Sequence, residues 1–184
     1  MLKQGFKKAV ISSVFFASVI STAHAGLYIG PTLLVRDTIS SNSTVRESGL
    51  RLSLGYGDFV SPSFYLAGEA FGIPGSILLK NNTNYGTSVR NTYSYGASLL
   101  PGIPLTDAVL GYLRLGVVET RFSSASVTAA GGQVGLGLQT PLTCDWDLRM
   151  EYTYTMYRSV SNAGTPKADW FGLGLTYKLS RLDQ

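Results

Sequence analysis

The sequence contains very few of the residues on which most catalytic and metal centres depend. It has one cysteine, Cys144, and one histidine, His24. A single cysteine cannot form an intrachain disulfide, and zinc sites of the Cys/His type need several such ligands. His24 lies in a segment with the features of a cleaved leader, so the remaining chain has no histidine. Serine–histidine and cysteine–histidine nucleophilic centres are therefore excluded.

Charged residues are also scarce, at 14% of the chain, against about 25% in an ordinary soluble domain. So few charged residues provide too little polar surface for a protein that faces water on all sides. The composition therefore favours contact with lipid. The formal net charge is +4, but Lys3, Lys7 and Lys8 all lie near the N-terminus; without them, 12 basic residues face 11 acidic residues. That near balance excludes a basic nucleic-acid-binding protein.

No segment approaches the roughly 20 unbroken apolar residues of a transmembrane helix. At the N-terminus, three lysines precede a short apolar stretch at residues 9–20, and the small-residue sequence Ala-His-Ala follows at residues 23–25. This pattern is typical of a secretion signal. We predict that residues 1–25 are a cleaved signal peptide and that residues 26–184 form a single domain. A membrane domain without apolar helices must be a closed β-sheet.

From Gly26 onward, the hydropathy pattern has a period of two residues, which is typical of β-strands. In residues 48–57, for example, Leu50, Leu52 and Leu54 share one face, whereas Arg51 and Ser53 lie on the other. Seven further segments alternate in the same way. Eight is an even number of strands, and each segment is close to the roughly ten residues that a tilted strand needs to cross a bilayer.

The predicted connections between these strands alternate between long and short. The longer, polar connections are at residues 38–47, 73–90, 121–130 and 158–168, and the shorter ones are at residues 58–63, 102–108 and 141–145. Long outer loops and short periplasmic turns are typical of outer-membrane barrels. The sequence therefore predicts an eight-stranded, antiparallel, up-and-down transmembrane β-barrel whose N-terminus lies on the periplasmic side.

Alternation alone also fits a soluble lipocalin-like barrel, in which the apolar face points inward. Here the polar face consists mostly of glycine, serine and threonine, which fit the narrow interior of an eight-stranded barrel. Charges of both signs gather on that face, whereas a lysine or arginine facing lipid costs about 2–4 kcal/mol at the bilayer midplane. We therefore expect the apolar face to contact lipid and an ion network to fill an interior without an apolar core. The predicted network consists of Arg51, Glu69, Arg114, Arg149, Glu151 and Lys178.

Three segments carry a family resemblance: residues 27–30 (LYIG), 151–155 (EYTYT) and 171–179 (FGLGLTYKL). With them, residues 26–179 resemble the OmpA/opacity-type family of small, porin-like outer-membrane β-barrels. The resemblance implies a bacterial outer-membrane location and a surface antigen, sometimes an adhesin, whose loops contact host molecules or lipopolysaccharide. Family members usually end on an aromatic residue that the barrel-assembly machinery reads, whereas this chain continues to Gln184.

The longest predicted outer connection, residues 73–90, is the expected contact surface, and Lys80, Tyr85 and Arg90 are its candidate contact residues. An enzymatic alternative comes from residues 159–164 (SVSNAG), which look somewhat like the His-x-Ser-Asn segment of lipid A deacylases. The position of the required histidine is held by Ser159, and a serine without a base is a weak nucleophile. We therefore expect a non-enzymatic surface protein with no catalytic residue, cofactor or metal. A lipid A hydrolase and a soluble binding barrel are the alternatives; the narrow interior argues against an open pore.

Overall fold

The computed structural model describes residues 26–40, 43–83, 91–122, 127–159 and 165–179. Within these residues the chain forms nine β-strands, built from leucine, β-branched and aromatic residues that alternate with small or polar ones. The strands are β1 (Gly26–Ser40), β2 (Ser43–Ser61), β3 (Phe64–Ile73), β4 (Ser76–Thr83), β5 (Asn91–Thr106), β6 (Val109–Phe122), β7 (Val127–Pro141), β8 (Trp146–Tyr157) and β9 (Lys167–Lys178).

The sheet is antiparallel and closes on itself. Hydrogen-bonded neighbours follow the order β1-β9-β8-β7-β6-β5-β3-β2, and β2 returns to pair with β1. Leu33 of β1, for example, lies opposite both Leu50 of β2 and Leu173 of β9. The predicted closed barrel of eight antiparallel strands is confirmed.

The prediction that residues 73–90 are an outer connection is wrong in part, because β4 lies within them. β4 pairs with the outer part of β2, from Ser76 opposite Gly49 to Thr83 opposite Ser43. β3 pairs with the inner part of the same strand, from Leu52 opposite Gly72 to Ser61 opposite Phe64, so β3 and β4 are two parts of the third barrel strand. Pro74 and Gly75 separate them, and proline has no N–H to donate to the ladder. Residues 76–83 are therefore strand rather than loop.

The other predicted outer connections are also shorter than the sequence indicated. β1 continues to Ser40 and β2 begins at Ser43, although residues 38–47 had been predicted as a connection. Backbone hydrogen bonds continue there after the apolar alternation ends. Side chains beyond the lipid layer have no reason to be apolar, so hydropathy marks where the lipid ends and not where the strand ends.

The barrel has its apolar side chains outside and its charged side chains inside, as expected. Leu52, Leu136 and Leu173 are 49%, 62% and 48% exposed, whereas Arg114 and Glu151 are 0% and 3% exposed. Aromatic rings flank the apolar surface: Tyr93 and Tyr95 stack toward the outer end, and Trp146 packs on Tyr177 toward the inner end. In the described part of the chain, no helix has the length and apolarity needed to cross a membrane.

The expectation that the barrel has no apolar core is wrong. Two clusters of buried apolar side chains fill parts of the lumen. The outer cluster consists of Leu34, Phe71, Ile73, Val118, Ala129, Tyr157, Ala168 and Trp170. The inner cluster consists of Tyr28, Ala67, Leu100 and Tyr112, with Tyr65 packed against it. Most strands contribute only one or two of these residues to an otherwise small or polar face, which is why the alternation did not predict them.

Two lumen-facing tyrosines of the inner cluster pack directly on glycines across the strand pair. Tyr28 lies opposite Gly55, and Tyr112 lies opposite Gly137. A Cβ atom on either glycine would overlap the tyrosine ring. These two glycines are therefore required for space, and they let each large ring lie flat against the barrel wall.

Candidate functional site

Five charged side chains form a layer across the middle of the lumen, which we call the central charge layer: Arg51, Glu69, Arg114, Arg149 and Glu151. Each is at most 3% exposed. Along β3, Glu69 lies between Ala67 of the inner cluster and Phe71 of the outer cluster. Along β6, Arg114 lies between Tyr112 and Val118 in the same way. The central charge layer thus separates the two apolar clusters.

Glu69 is held by two arginines and a tyrosine. Its Oε1 accepts a hydrogen bond of 2.6 Å from Arg114 Nη2, and its Oε2 accepts one from Arg149 Nη1. The Tyr28 hydroxyl donates to Oε2 at 3.2 Å. A carboxylate that is bonded on both oxygens by cations is not poised to take part in acid–base chemistry, and this one ties β3, β6, β8 and β1 together.

Glu151 is held in the same manner on the opposite side of the layer. It accepts hydrogen bonds from Arg51 Nη1 at 2.7 Å and from the Tyr112 hydroxyl at 2.8 Å. Arg114 Nε lies 2.9 Å from Glu151 Oε1, so Arg114 bridges both carboxylates. Arg51 and Glu151 are 100 residues apart in the sequence, and only closure of the barrel brings them together.

Lys178, the sixth residue of the predicted network, lies apart from the central charge layer at the inner mouth of the barrel. Its Nζ is 2.8 Å from Asp147 Oδ1, and its side chain is 43% exposed. Gln139 connects this pair to the layer, because it donates to Asp147 at 2.7 Å and accepts from Arg149 Nη2 at 3.0 Å. Gln139 and the two tyrosine hydroxyls were not predicted as members of the network. All three residues lie at strand positions whose side chains alternate into the lumen, and that alternation could have predicted them.

Charged side chains on the outward face occur at the outer end of the barrel and mark where the lipid-facing surface stops. Asp37 and Arg46 form an exposed ion pair of 2.6 Å there. The Tyr152 hydroxyl donates to Asp169 at 2.8 Å. Three further cations are exposed at this end without an ion pair among the described residues: Arg121 on β6, Arg158 just after β8 and Lys167 on β9. We call the outer-end surface that carries these charges the outer rim.

A comparison with protein families identifies this arrangement. The family model described as "Outer membrane protein beta-barrel domain" matches residues 9–178. The chain belongs to this family. The protein is therefore a small β-barrel of the bacterial outer membrane.

Solved structures of other outer-membrane barrels share the fold. Neisserial surface protein A has a TM-score of 0.62 and 19% identity, over 85% of this chain and 100% of that chain. Ail, the attachment invasion locus protein of Yersinia pestis, was crystallised with the heparin analogue sucrose octasulfate; it has a TM-score of 0.54 and 15% identity, over 85% of this chain and 100% of that chain. At these identities the likeness concerns the fold alone. No curated protein sequence matches the chain.

The predicted contact residues of this outer-membrane barrel are only partly described. Lys80 lies in β4, opposite Arg46 of β2. Tyr85 and Arg90 lie outside the described residues, as do the predicted signal peptide and most of the deacylase-like segment. Ser159, where that segment begins, is exposed at the end of β8. Within the described ranges, no three His, Cys, Asp or Glu side chains are grouped so that they could hold a metal ion.

Two concavities of the barrel do not resemble an active site. A groove of about 630 Å³ lies on the lipid-facing surface and is lined by apolar side chains that include Leu113, Leu136 and Met150. Acyl chains fill such a groove in a bilayer. A vestibule of about 370 Å³ opens at the inner mouth, where Tyr65 and Lys178 are among its lining residues. The central charge layer separates it from the outer half of the lumen.

Proposed function

We propose that the protein is a non-enzymatic surface protein whose outer rim binds lipopolysaccharide and whose outermost strands contact host surface molecules. The observation that carries the proposal is the set of three outward-facing cations, Arg121, Arg158 and Lys167, which have no ion-pair partner among the described residues. They lie just beyond the apolar surface, where we expect the phosphate groups of lipid A.

The three cations lie on neighbouring strands. Lys167 of β9 is opposite Met156 of β8, and Arg158 follows Met156 by two residues. This diagonal relation places the two Cα atoms about 7–8 Å apart. The backbone N–H of Arg158 also bonds to the Ala130 carbonyl of β7, which adjoins β6 and its Arg121. Guanidinium groups recognise phosphate through paired hydrogen bonds, so a stripe of this kind suits a phosphorylated lipid.

Two acidic groups share strands with this stripe, Glu119 with Arg121 and Asp169 with Lys167, but neither forms an ion pair with it among the described residues. Asp37 is already paired with Arg46 on the other side of the barrel. Asp169 and Glu119 accept hydrogen bonds from the hydroxyls of Tyr152 and Tyr95. Those tyrosines belong to the aromatic edge of the apolar surface. The three cations outnumber these two carboxylates, so the stripe keeps a net positive charge that favours an anionic group outside the protein.

The pairing and burial of the lumen's charged side chains support a non-enzymatic role. The carboxylates of the central charge layer are bonded to arginines, and its side chains are too buried to line a water-filled channel. The one histidine that could activate Ser159 is His24, which lies in the predicted signal peptide. We therefore assign binding to the outer end, where β4 pairs with β2 as far as Ser43 and Ile77 is 70% exposed. We include Lys80, Tyr85 and Arg90 in this proposed contact surface.

The lipopolysaccharide proposal is tested with the triple variant Arg121→Gln, Arg158→Gln and Lys167→Gln. We expect at least a tenfold loss of affinity for purified lipopolysaccharide, together with a weaker dependence on salt, because three phosphate contacts are removed. Lys178→Gln is the matched control, since it removes a cation at the inner mouth and should bind as the wild type does. Both proteins should still migrate as folded barrels on unboiled gels. Equal affinity of the triple variant and the control would refute the proposal.

A further inference from the structure

The central charge layer contains one more cation than it contains anions. Three guanidinium groups share two carboxylates, and Arg114 contacts both carboxylates. The charges on either side of the layer do not correct this imbalance. Toward the inner mouth Lys178 pairs with Asp147, and toward the outer end Arg36 lies opposite Glu47 on the neighbouring strand. The layer therefore keeps a net charge of +1 inside a lipid-surrounded barrel, where an uncompensated charge is strongly unfavourable.

The excess charge coincides with buried donors that have no partner. Arg51 forms its ion pair through Nη1, whereas its Nε and Nη2 atoms are buried without a hydrogen bond. Ser53 lies two residues further along β2 on the same lumen-facing side, and its hydroxyl is also buried and unpartnered. Arg51 and Ser53 are 1% and 4% exposed. Buried polar groups in proteins are nearly always hydrogen-bonded, so three such donors on neighbouring residues indicate a missing acceptor.

We propose that a small monovalent anion, of the halide class, binds inside the barrel to Arg51 Nε, Arg51 Nη2 and Ser53 Oγ. A halide accepts several hydrogen bonds and carries the single negative charge that brings the layer to neutrality. Water would satisfy the donors but would leave the charge. The Phe71 ring, whose centroid is 5.9 Å from Arg51 Cζ, attracts the cation weakly and supplies no acceptor. Because apolar clusters lie on both sides of the layer, we expect the site to admit only a small anion.

Bromide is the probe for this site, with gluconate as an anion too large to enter. The folded barrel in detergent is melted at constant ionic strength while gluconate is replaced by bromide. Ligand binding to the folded state should raise the melting temperature by about 3–5 °C for each tenfold rise in bromide above its dissociation constant. Crystals grown in bromide should show an anomalous peak in contact with Arg51. Ser53→Ala should weaken the bromide effect and Arg51→Met should abolish it, whereas Lys178→Met should retain it.

Equal melting temperatures in bromide and gluconate for the wild type, with no anomalous peak beside Arg51, would overturn the proposal, because water would then be the partner of these donors. An equal bromide effect in the wild type and in both lumen variants would also overturn it, because the anion would then bind elsewhere. If Arg51→Met does not fold, the comparison of Ser53→Ala with the wild type and the crystallographic peak decide the matter.

Discussion

Replacing Glu151 with glutamine should strongly destabilise the barrel, and the structure sets the expected size of the effect. Glutamine has nearly the same shape as glutamate, so no cavity is created. The change removes only the negative charge that faces Arg51 and Arg114, at distances of 2.7 and 2.9 Å. Both arginines are at most 1% exposed, and neither can turn to water when its partner is lost.

Removing one partner from a buried ion pair costs about 3–5 kcal/mol. For a chain of this length, that loss corresponds to a fall in melting temperature of about 6–20 °C. The variant should be folded into detergent micelles and melted alongside the wild type. The fraction that migrates as folded barrel on unboiled gels gives the transition, and circular dichroism gives an independent measure of it.

The matched control is Asp37→Asn, which breaks an ion pair of almost the same length in a different environment. Asp37 and Arg46 are 2.6 Å apart, but their side chains are 29% and 54% exposed. Exposed ion pairs are screened by water and contribute little, so the control should melt close to the wild type. If Glu151→Gln melted like Asp37→Asn, the central charge layer would not be a stabilising network.

Two further predictions concern the packing of Tyr112 on the barrel wall and the proposed outer contact surface. Gly137→Ala places a methyl group where the Tyr112 ring lies. It should lower the free energy of unfolding by about 1–3 kcal/mol in denaturant-unfolding experiments. Gly68→Ala is the control, because its Cβ atom would meet nothing within 4 Å, and this variant should fold at least as well as the wild type. Deleting residues 76–88 should abolish adhesion to host cells in a binding assay, yet leave a folded barrel, because the pairing of β3 with β5 does not involve this segment. Adhesion that survived the deletion would remove these residues from the proposed contact surface.

The barrel and its orientation were predicted from the sequence because both depend on a local pattern. Alternation with a period of two defines the two faces of each strand, and the position of charges such as Arg114 and Glu151 shows which face avoids lipid. The outer ends of the strands were not predicted, as at residues 76–83. There the backbone pairing of β4 with β2 continues although the apolar alternation has ended.

The sequence pattern did not predict which residues the lumen charges pair with. Glu69 and Arg149 are 80 residues apart, and nothing local distinguishes Arg149 from Lys178, although only Arg149 enters the central charge layer. The distinction depends on depth along the barrel axis, which is determined by how each strand is shifted against its neighbours. The tyrosines of the inner cluster were missed for a related reason, since each needs a glycine on the next strand to lie against.

The order of hydrophobic and polar residues was enough to determine that this chain forms a closed sheet in a membrane, because lipid and water each select one face of every strand. The pairing of arginines with carboxylates was decided only when the first and last strands joined. The same step left one cation in the lumen without a counter-charge. Closure brings residues from distant parts of the chain to the same depth of a narrow lumen, and that depth is a property of the whole barrel.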